Sequence, residues 1–299
     1  MYYVRRTPFQ PSPIPHMDTQ QVNVNLRNVI FSDKEETLLK PTFVPFSENN
    51  KNYDLVYILK ETDINPDLKY SLRSICKFCT YRNIWFVGYQ PTWTKDVNYI
   101  HTVQTQNKWK NSVLNYIAAC KCPDISDDFI LMNDDFFAIR QIVDWTESTN
   151  KCLGTLDEKI RELSKNSTLS RWQSAFTYAK ELLTEFKCPY QYNYETHLPI
   201  IINKNNFLEM ITSKPLQCFE KTDKVLHKRS VYKNLYQDQN IIPKKIIDVK
   251  LLAQKDLDSQ LLEEDWLSVF DYVIDNARRY PRLNKLFRLL FSEKCKYER

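Results

Sequence analysis

Glycine is almost missing from this chain. Two glycines, Gly88 and Gly154, serve 299 residues, so no G-x-G-x-x-G and no Walker sequence occurs, and a phosphate-cradling glycine loop is excluded. A nucleotide, if bound, must have its phosphates neutralised by metal and basic side chains. No apolar run reaches the roughly 18 residues that a membrane helix needs, and no signal-peptide pattern opens the sequence. The expectation is a soluble, unexported protein of the cytoplasm. Eight cysteines are too sparse for a disulfide scaffold, which fits a reducing compartment. Cys76-x-x-Cys79 and Cys120-x-Cys122 lack the His or second C-x-x-C of a usual zinc spacing, so buried thiols are expected. Net charge is small as well: +5 permits an anionic partner without requiring one.

What is present is apolar mass. With 42% hydrophobic and 13% aromatic residues, the chain can build one large domain or two small ones. The central stretch is Phe129-Ile130-Leu131-Met132-Asn133-Asp134-Asp135-Phe136-Phe137. An apolar run ending in two adjacent carboxylates reads as a buried strand that delivers charge to its carboxyl edge, where open α/β sheets bind ligands. Desolvating an unpaired carboxylate costs several kcal/mol, so a partner is required. It can be a hard divalent cation, an Arg or Lys, or helix N-terminal amides. An Asp-rich turn after a strand is the plainer alternative.

Residues 1–50 hold six of the fourteen prolines and read as an irregular arm. Tyr53 to Lys60 predicts a strand. Asp67 to Cys79 predicts a helix with Leu68, Leu72, Ile75 and Cys76 on one stripe. Ile84 to Val87 predicts a buried strand stopped by Gly88, Val97 to Val103 an edge strand, and Trp109 to Ala119 an amphipathic helix. The alternation predicts a mostly parallel sheet covered by helices. Further on, Leu156 to Leu163 and Trp172 to Phe186 predict helices, and Leu198 to Ile202 a short strand. Trp266, Phe270, Val273, Ile274 and Ala277 recur at helical spacing. A basic helix, Arg282 to Phe291, closes the chain.

Three separated segments, Asp67 through Ser71-Leu72-Arg73-Ser74-Ile75, Ile84-Trp85-Phe86-Val87 and Asn133-Asp134-Asp135-Phe136-Phe137, resemble the central region of Stealth-type sugar-phosphate transferases. His197-Leu198-Pro199 matches their later His-x-Pro segment. The chain is also similar to small phage-encoded proteins of glycosyltransferase type, which add a late H-K-R-S-x-Y-x-N-L-Y, here His227 to Tyr236. The resemblance covers roughly residues 53–240. It implies a glycosyltransferase-A-like nucleotide-sugar fold. The Trp-Val-Asp-Gly run of the Stealth opening motif is replaced by Tyr57-Ile58-Leu59-Lys60, which favours plain glycosyl transfer over phosphotransfer.

The resemblance implies that Asp135 ligates a divalent ion, Mn²⁺ or Mg²⁺, with Asp134 as a second or water-mediated ligand; the ion bridges the donor diphosphate and offsets charge on the leaving group. His227 is the candidate late metal ligand. Lys228 and Arg229 are candidates for the diphosphate, against the alternative of an exposed basic turn. The resemblance places Arg73 at the donor, where a surface ion pair is the alternative. Lys108, Asn111 and Asn115 open and line the helix before the acidic strand; Asn111 is the donor candidate, against the favoured alternative of a plain surface position. Glu195 or His197 could deprotonate an acceptor hydroxyl.

The resulting expectation has three parts: a Pro-rich arm at 1–50, a glycosyltransferase-A-like catalytic domain at 51–255 and a helical extension at 256–299. It is a metal-dependent enzyme that moves a sugar from a nucleotide-sugar donor to an acceptor hydroxyl. A hydroxymethylated pyrimidine in phage DNA is the first candidate acceptor, on the strength of the phage resemblance and a basic stripe at Arg278, Arg279, Arg282, Lys285 and Arg288. In that case the protein works in the host cytoplasm. A glycan or sugar-phosphate polymer is the second candidate. A nuclease using Asp134, Asp135 and Glu195 for two metals is a further alternative, and a non-catalytic binding protein on a decayed transferase fold another.

Overall fold

The computed structural model describes residues 4–5, 53–62, 65–216, 224–238, 241–251, 264–269 and 281–299. Most of the Pro-rich arm, the Phe270–Ala277 segment, Arg278 and Arg279 lie outside these residues, as does the side chain of Arg282.

Hydrophobic pattern dictates the central layer. β2 (Asp54–Ile58), β3 (Ile84–Gly88) and β5 (Asp128–Met132) are near-continuous apolar runs, the signature of parallel strands covered on both faces. With β4 (Asn98–His101) between β3 and β1 (Val4–Arg5), and β8 (Ile200–Asn203) beyond β5, they form a six-stranded sheet ordered β1-β4-β3-β2-β5-β8. β4, β3, β2 and β5 run parallel, and the outer strands β1 and β8 are antiparallel to their neighbours. Alternate residues face opposite ways. Leu55, Tyr57, Phe86, Ile130 and Met132 enter one core, while Val56, Trp85, Val87, Phe129 and Leu131 enter the other.

Each core is closed by a helix that the period predicts. α1 (Pro66–Phe78) starts where Asn65 accepts a hydrogen bond from Leu68 N, with Pro66 in the first turn, and buries Leu68, Leu72 and Ile75 in the first core. α2 (Lys108–Lys121) is capped by Asn107 and buries Val113, Tyr116 and Ile117 in the second. The two helices thus lie on opposite faces. The chain goes outward from β2 through α1, β3 and β4, then returns over α2 to place β5 on the other side of β2. The strand order reverses between β2 and β5, and the crevice outside their carboxyl ends is where such sheets bind ligands.

After β5 the chain turns at Asp134-Asp135 and enters β6 (Phe136–Ala138), which belongs to a second sheet. α1 fixes this corner: Ser71 Oγ donates to Phe136 O at 2.6 Å, and Ala138 N donates to Ser74 Oγ at 3.1 Å. The serines of the Ser-Leu-Arg-Ser segment are thus structural ties to β6. α3 (Trp145–Thr149) follows and buries Trp145 in the first core, and β7 (Lys151–Cys152) leads to the other side of the sheet, where α4 (Leu156–Leu163), α5 (Arg171–Glu185), α6 (Lys204–Thr212) and α7 (Lys228–Tyr236) bury Leu156, Phe176, Phe207 and Val231 in the second core. Then come β9 (Lys244–Lys245), paired with β7, and β10 (Lys250–Leu251).

Helical spacing misreads one segment. Trp266–Val269 is a strand, β11, set between β10 and β6, and all four of its residues are buried. A short strand buried on both faces carries no alternation to separate it from a helix. The closing helix forms as expected. α8 (Pro281–Leu290) buries Leu283, Leu286 and Phe287 in the first core and exposes Lys285 and Arg288.

A C-terminal strap follows. Arg299 N donates to Trp93 O and Lys95 N to Tyr297 O, both at 2.9 Å. Arg73 grips this strap: its guanidinium donates to Glu298 Oε1 at 2.6 Å, to Glu298 Oε2 at 2.8 Å and to Phe291 O at 2.8 Å. The side chains of this pair are 9% and 4% exposed. Glu298→Ala leaves the guanidinium buried and short of its anion, and should cost about 2–4 kcal/mol in urea unfolding. An unchanged midpoint would make the strap a passive tail. Among the described residues no helix is long and apolar enough to cross a membrane, and the seven cysteines carry free thiols.

Candidate functional site

The acidic pair sits at the carboxyl end of β5, beside the reversal point. Asp134 Oδ2 accepts a 2.8 Å bond from Asn65 Nδ2, and Asn65 uses its other amide atom to cap α1. The start of α1 therefore aims Asn65 at the crevice. Burial pushes the Asp134 carboxyl up, and the neighbouring Asp135 pushes it further, to about 6, although Asn65 and Lys250 pull the other way. A carboxylate enclosed beside a like charge is under-compensated.

Asp135 is met from the second sheet. Its Oδ2 accepts from Lys250 Nζ at 3.2 Å and from Ser268 Oγ at 3.0 Å. Lys250 and Ser268 are register partners on β10 and β11, so their side chains leave the same face. The segment before β10 adds a second element. Asp248 receives Lys250 N at 3.1 Å, and its two carboxylate oxygens lie 2.8 and 3.0 Å from His197 Nδ1. A carboxylate only accepts, so Nδ1 carries the proton in this contact and the lone pair of a neutral ring sits on Nε2. His197 is part-exposed, at 29%, and precedes β8, whose start pairs with the end of β5. His197 and Asp248 are thus linked to Asp135 through Lys250, whose backbone N meets Asp248 and whose ammonium meets Asp135, and Asn65 holds the adjoining Asp134.

Two carboxylates suit an octahedral ion that takes its remaining ligands from phosphate and water. Among the described residues no cluster of three or more His, Cys, Asp and Glu is placed to hold a metal. An ion held by these two carboxylates alone would have to draw most of its ligands from outside the protein.

No family model matches the sequence, and no curated protein does. Among solved structures, the chain is similar to the apo form of the glycosyltransferase GlyE of Streptococcus pneumoniae TIGR4, at 10% identity and a TM-score of 0.44, over 82% of this chain and 61% of that one. A second structure of GlyE matches at 10% identity and a TM-score of 0.32, over 67% and 46% of the two chains. This chain therefore spans about three-fifths of GlyE's length or less.

The other expected site residues go elsewhere. His227 does not join the acidic pair. It is fully buried between Trp172 and Phe176, its ring centroid 4.0 and 4.2 Å from theirs, with Nε2 3.0 Å from Trp172 O and Nδ1 3.5 Å from Glu195 Oε2. Glu195 is no exposed base or second metal ligand. Its Oε1 accepts from Ser230 N and Ser230 Oγ, both at 3.1 Å, so it caps the start of α7. Arg229 is no diphosphate clamp either. It is buried over the Phe136 ring and donates to Thr196 O and Leu198 O, the two residues flanking His197. Lys228 places its ammonium 4.7 Å from the Tyr116 ring centroid, and burial pulls it down to about 8.

Arg73 serves the C-terminal strap and not the donor. Asn111 closes a turn, with Nδ2 donating to Thr105 O at 2.6 Å. Asn115, also on α2, accepts from Thr102 Oγ1 at 2.5 Å, and Lys108 lies over the Trp109 ring. Of the basic knot, Arg229 is the buried support beneath His197, His227 packs between Trp172 and Phe176, and Lys228 lies half-buried against Tyr116.

Burial alone would raise the Glu195 carboxyl, but His227, Arg229 and Lys228 outweigh it and hold it down at about 2. A carboxyl held below its ordinary 4.5 stabilises the fold above pH 4.5, and that stability is lost as pH falls through about 2. Wild-type unfolding free energy should therefore drop between pH 4.5 and 2, by about 3 kcal/mol from this group. Glu195→Gln should be less stable at pH 6 and show a flatter acid limb. Equal acid limbs in urea titrations would remove the network.

Asn65, Asp248, Lys250 and Ser268 carry the site and escaped the sequence reading. Asn65-Pro66 before an amphipathic run is a helix-start signal. Asp248 and Lys250 flank the buried Val249, but Asp248 precedes β10 and bends back to receive Lys250 N, a local turn with no repeat to mark it. Ser268 has no such signal.

Proposed function

We propose that this protein is a metal-dependent glycosyltransferase that moves a sugar from a nucleotide-sugar donor to an acceptor hydroxyl. The observation that carries the reading is the joining of two adjacent carboxylates, at the reversal point of a parallel sheet, to a part-exposed His–Asp dyad. Asp135 and Asp134 would hold Mn²⁺ or Mg²⁺, which when bound supplies positive charge against the nucleoside diphosphate as it leaves. Asn65 orients Asp134. His197 Nε2 takes the proton of the acceptor hydroxyl as that oxygen attacks the anomeric carbon, and Asp248 holds the ring and offsets its charge.

The exposed Lys285 and Arg288 on α8 support a polyanionic acceptor, and a hydroxymethylated pyrimidine in DNA, flipped from the stack, meets that description. A glycan or sugar-phosphate polymer is what remains if DNA does not bind.

The test is a screen of nucleotide sugars with Mn²⁺, reading nucleoside diphosphate release with water as the acceptor. One donor should be hydrolysed, EDTA should stop it, and that donor should raise the melting temperature by mass action. Release that ignores EDTA ends the metal reading, and DNA cleavage with metal alone favours a nuclease. Gel shifts on duplexes with and without hydroxymethylated pyrimidines should weaken steeply with salt, by a slope near −0.9 per phosphate contact. Lys285→Glu with Arg288→Glu should flatten that slope. No binding to either duplex at low salt removes DNA as acceptor.

A further inference from the structure

The second sheet is built around the acidic pair. β11 pairs with β6 directly after Asp135, and β10 pairs with β11 so that Lys250 stands beside Ser268. Both reach the same oxygen, Asp135 Oδ2. The Lys250 and Asp135 side chains are 18% and 17% exposed, so the ammonium is largely desolvated and lies where a carboxylate ligand would meet a metal. An ammonium and a divalent ion cannot share one small carboxylate without mutual repulsion. Of the basic residues that the sequence offers to a diphosphate, Arg229 is engaged beneath His197 and Lys228 lies against the Tyr116 ring. Lys250, by contrast, is held by the fold on the acidic pair itself.

We infer that Lys250 is an exchangeable counter-ion of Asp135: it neutralises the carboxylate while no divalent ion is held, and turns to the donor diphosphate when ion and diphosphate bind together. The inference rests on the proposed metal reading. Asp248 anchors the backbone of Lys250, so the exchange needs only the four-carbon stem to swing. Ser268 stays on Asp135 and keeps it aimed.

The consequence is a pair of effects of opposite sign. In the full chain without nucleotide, Lys250→Met should bind Mn²⁺ about 3–10-fold more tightly, read from the free-ion signal in electron paramagnetic resonance, because a competing cation is gone. With Mn²⁺ saturating, the same variant should bind inorganic pyrophosphate about tenfold or more weakly by calorimetry, because a charge-assisted contact is lost. Lys250→Arg should stay within about threefold of wild type for pyrophosphate. If Lys250→Met does not fold, Lys250→Gln takes its place. Unchanged affinities for both probes, or weaker Mn²⁺ binding in the variant, overturn the inference and make Lys250 a fixed support of Asp135. A wild-type chain that binds neither Mn²⁺ nor pyrophosphate overturns the metal reading and the inference with it, and is told apart because the failure precedes any substitution.

Discussion

Asp135→Asn is expected to leave the fold in place and to reduce sugar transfer by about a hundredfold or more. The amide keeps the size of the carboxylate and can still accept from Ser268 Oγ, now 3.0 Å away. What it loses is the charge that a hard cation requires. It also loses the ion pair with Lys250 at 3.2 Å, a mostly buried contact whose removal should cost stability only modestly, since the long side chain can turn to water. Turnover with the hydrolysed donor, far-UV circular dichroism and the melting temperature together decide the matter. Near-normal turnover in a folded Asp135→Asn would sink the proposed role of the acidic pair. A chain that no longer folds would show instead that Lys250 and Ser268 need the charge to join the two sheets.

The second large effect is structural. Arg229→Met should lower the unfolding free energy by about 3–5 kcal/mol. Arg229 is 8% exposed, donates to Thr196 O and Leu198 O, and is one of the cations that hold the Glu195 carboxyl down. Without it two carbonyls lose their donor and a buried carboxylate loses part of its compensation, each a cost larger than the apolar gain of methionine. Arg229→Lys should recover little, because one ammonium cannot reproduce a planar fork between two carbonyls. The folded fraction of Arg229→Met should also show reduced transfer, since the segment it releases carries His197. A urea midpoint equal to that of wild type would refute the account.

Much of the frame was legible from residue order. β2, β3 and β5 are apolar without interruption because both faces are covered, and α1 and α2 repeat their apolar residues at helical spacing because one face is covered. Their alternation implied a parallel sheet. The two glycines fit the same economy. Gly88 and Gly154 both take positive φ, at 109° and 96°, where a side chain would be strained. β11 was not legible, because four buried residues in a row suit a strand and a helix alike.

The sequence by itself determined the position of Asp134 and Asp135, because a strand that is apolar to its last residue and then doubly acidic has only one edge at which to put that charge. It also determined that no glycine loop could hold a phosphate. Which groups meet the pair was decided by tertiary structure, since those contacts join residues far apart in the chain. Asn65 lies 69 residues from Asp134, Lys250 115 from Asp135 and Ser268 133 from it. Local pattern carries no information at such separations. The basic knot shows the same limit from the other side. His227-Lys228-Arg229 looks like an exposed cluster until Glu195, 35 residues before Ser230, caps the start of α7 and draws the charges inward. A run of basic residues faces solvent or core according to where its counter-charge lies, and here that counter-charge was supplied by a distant segment.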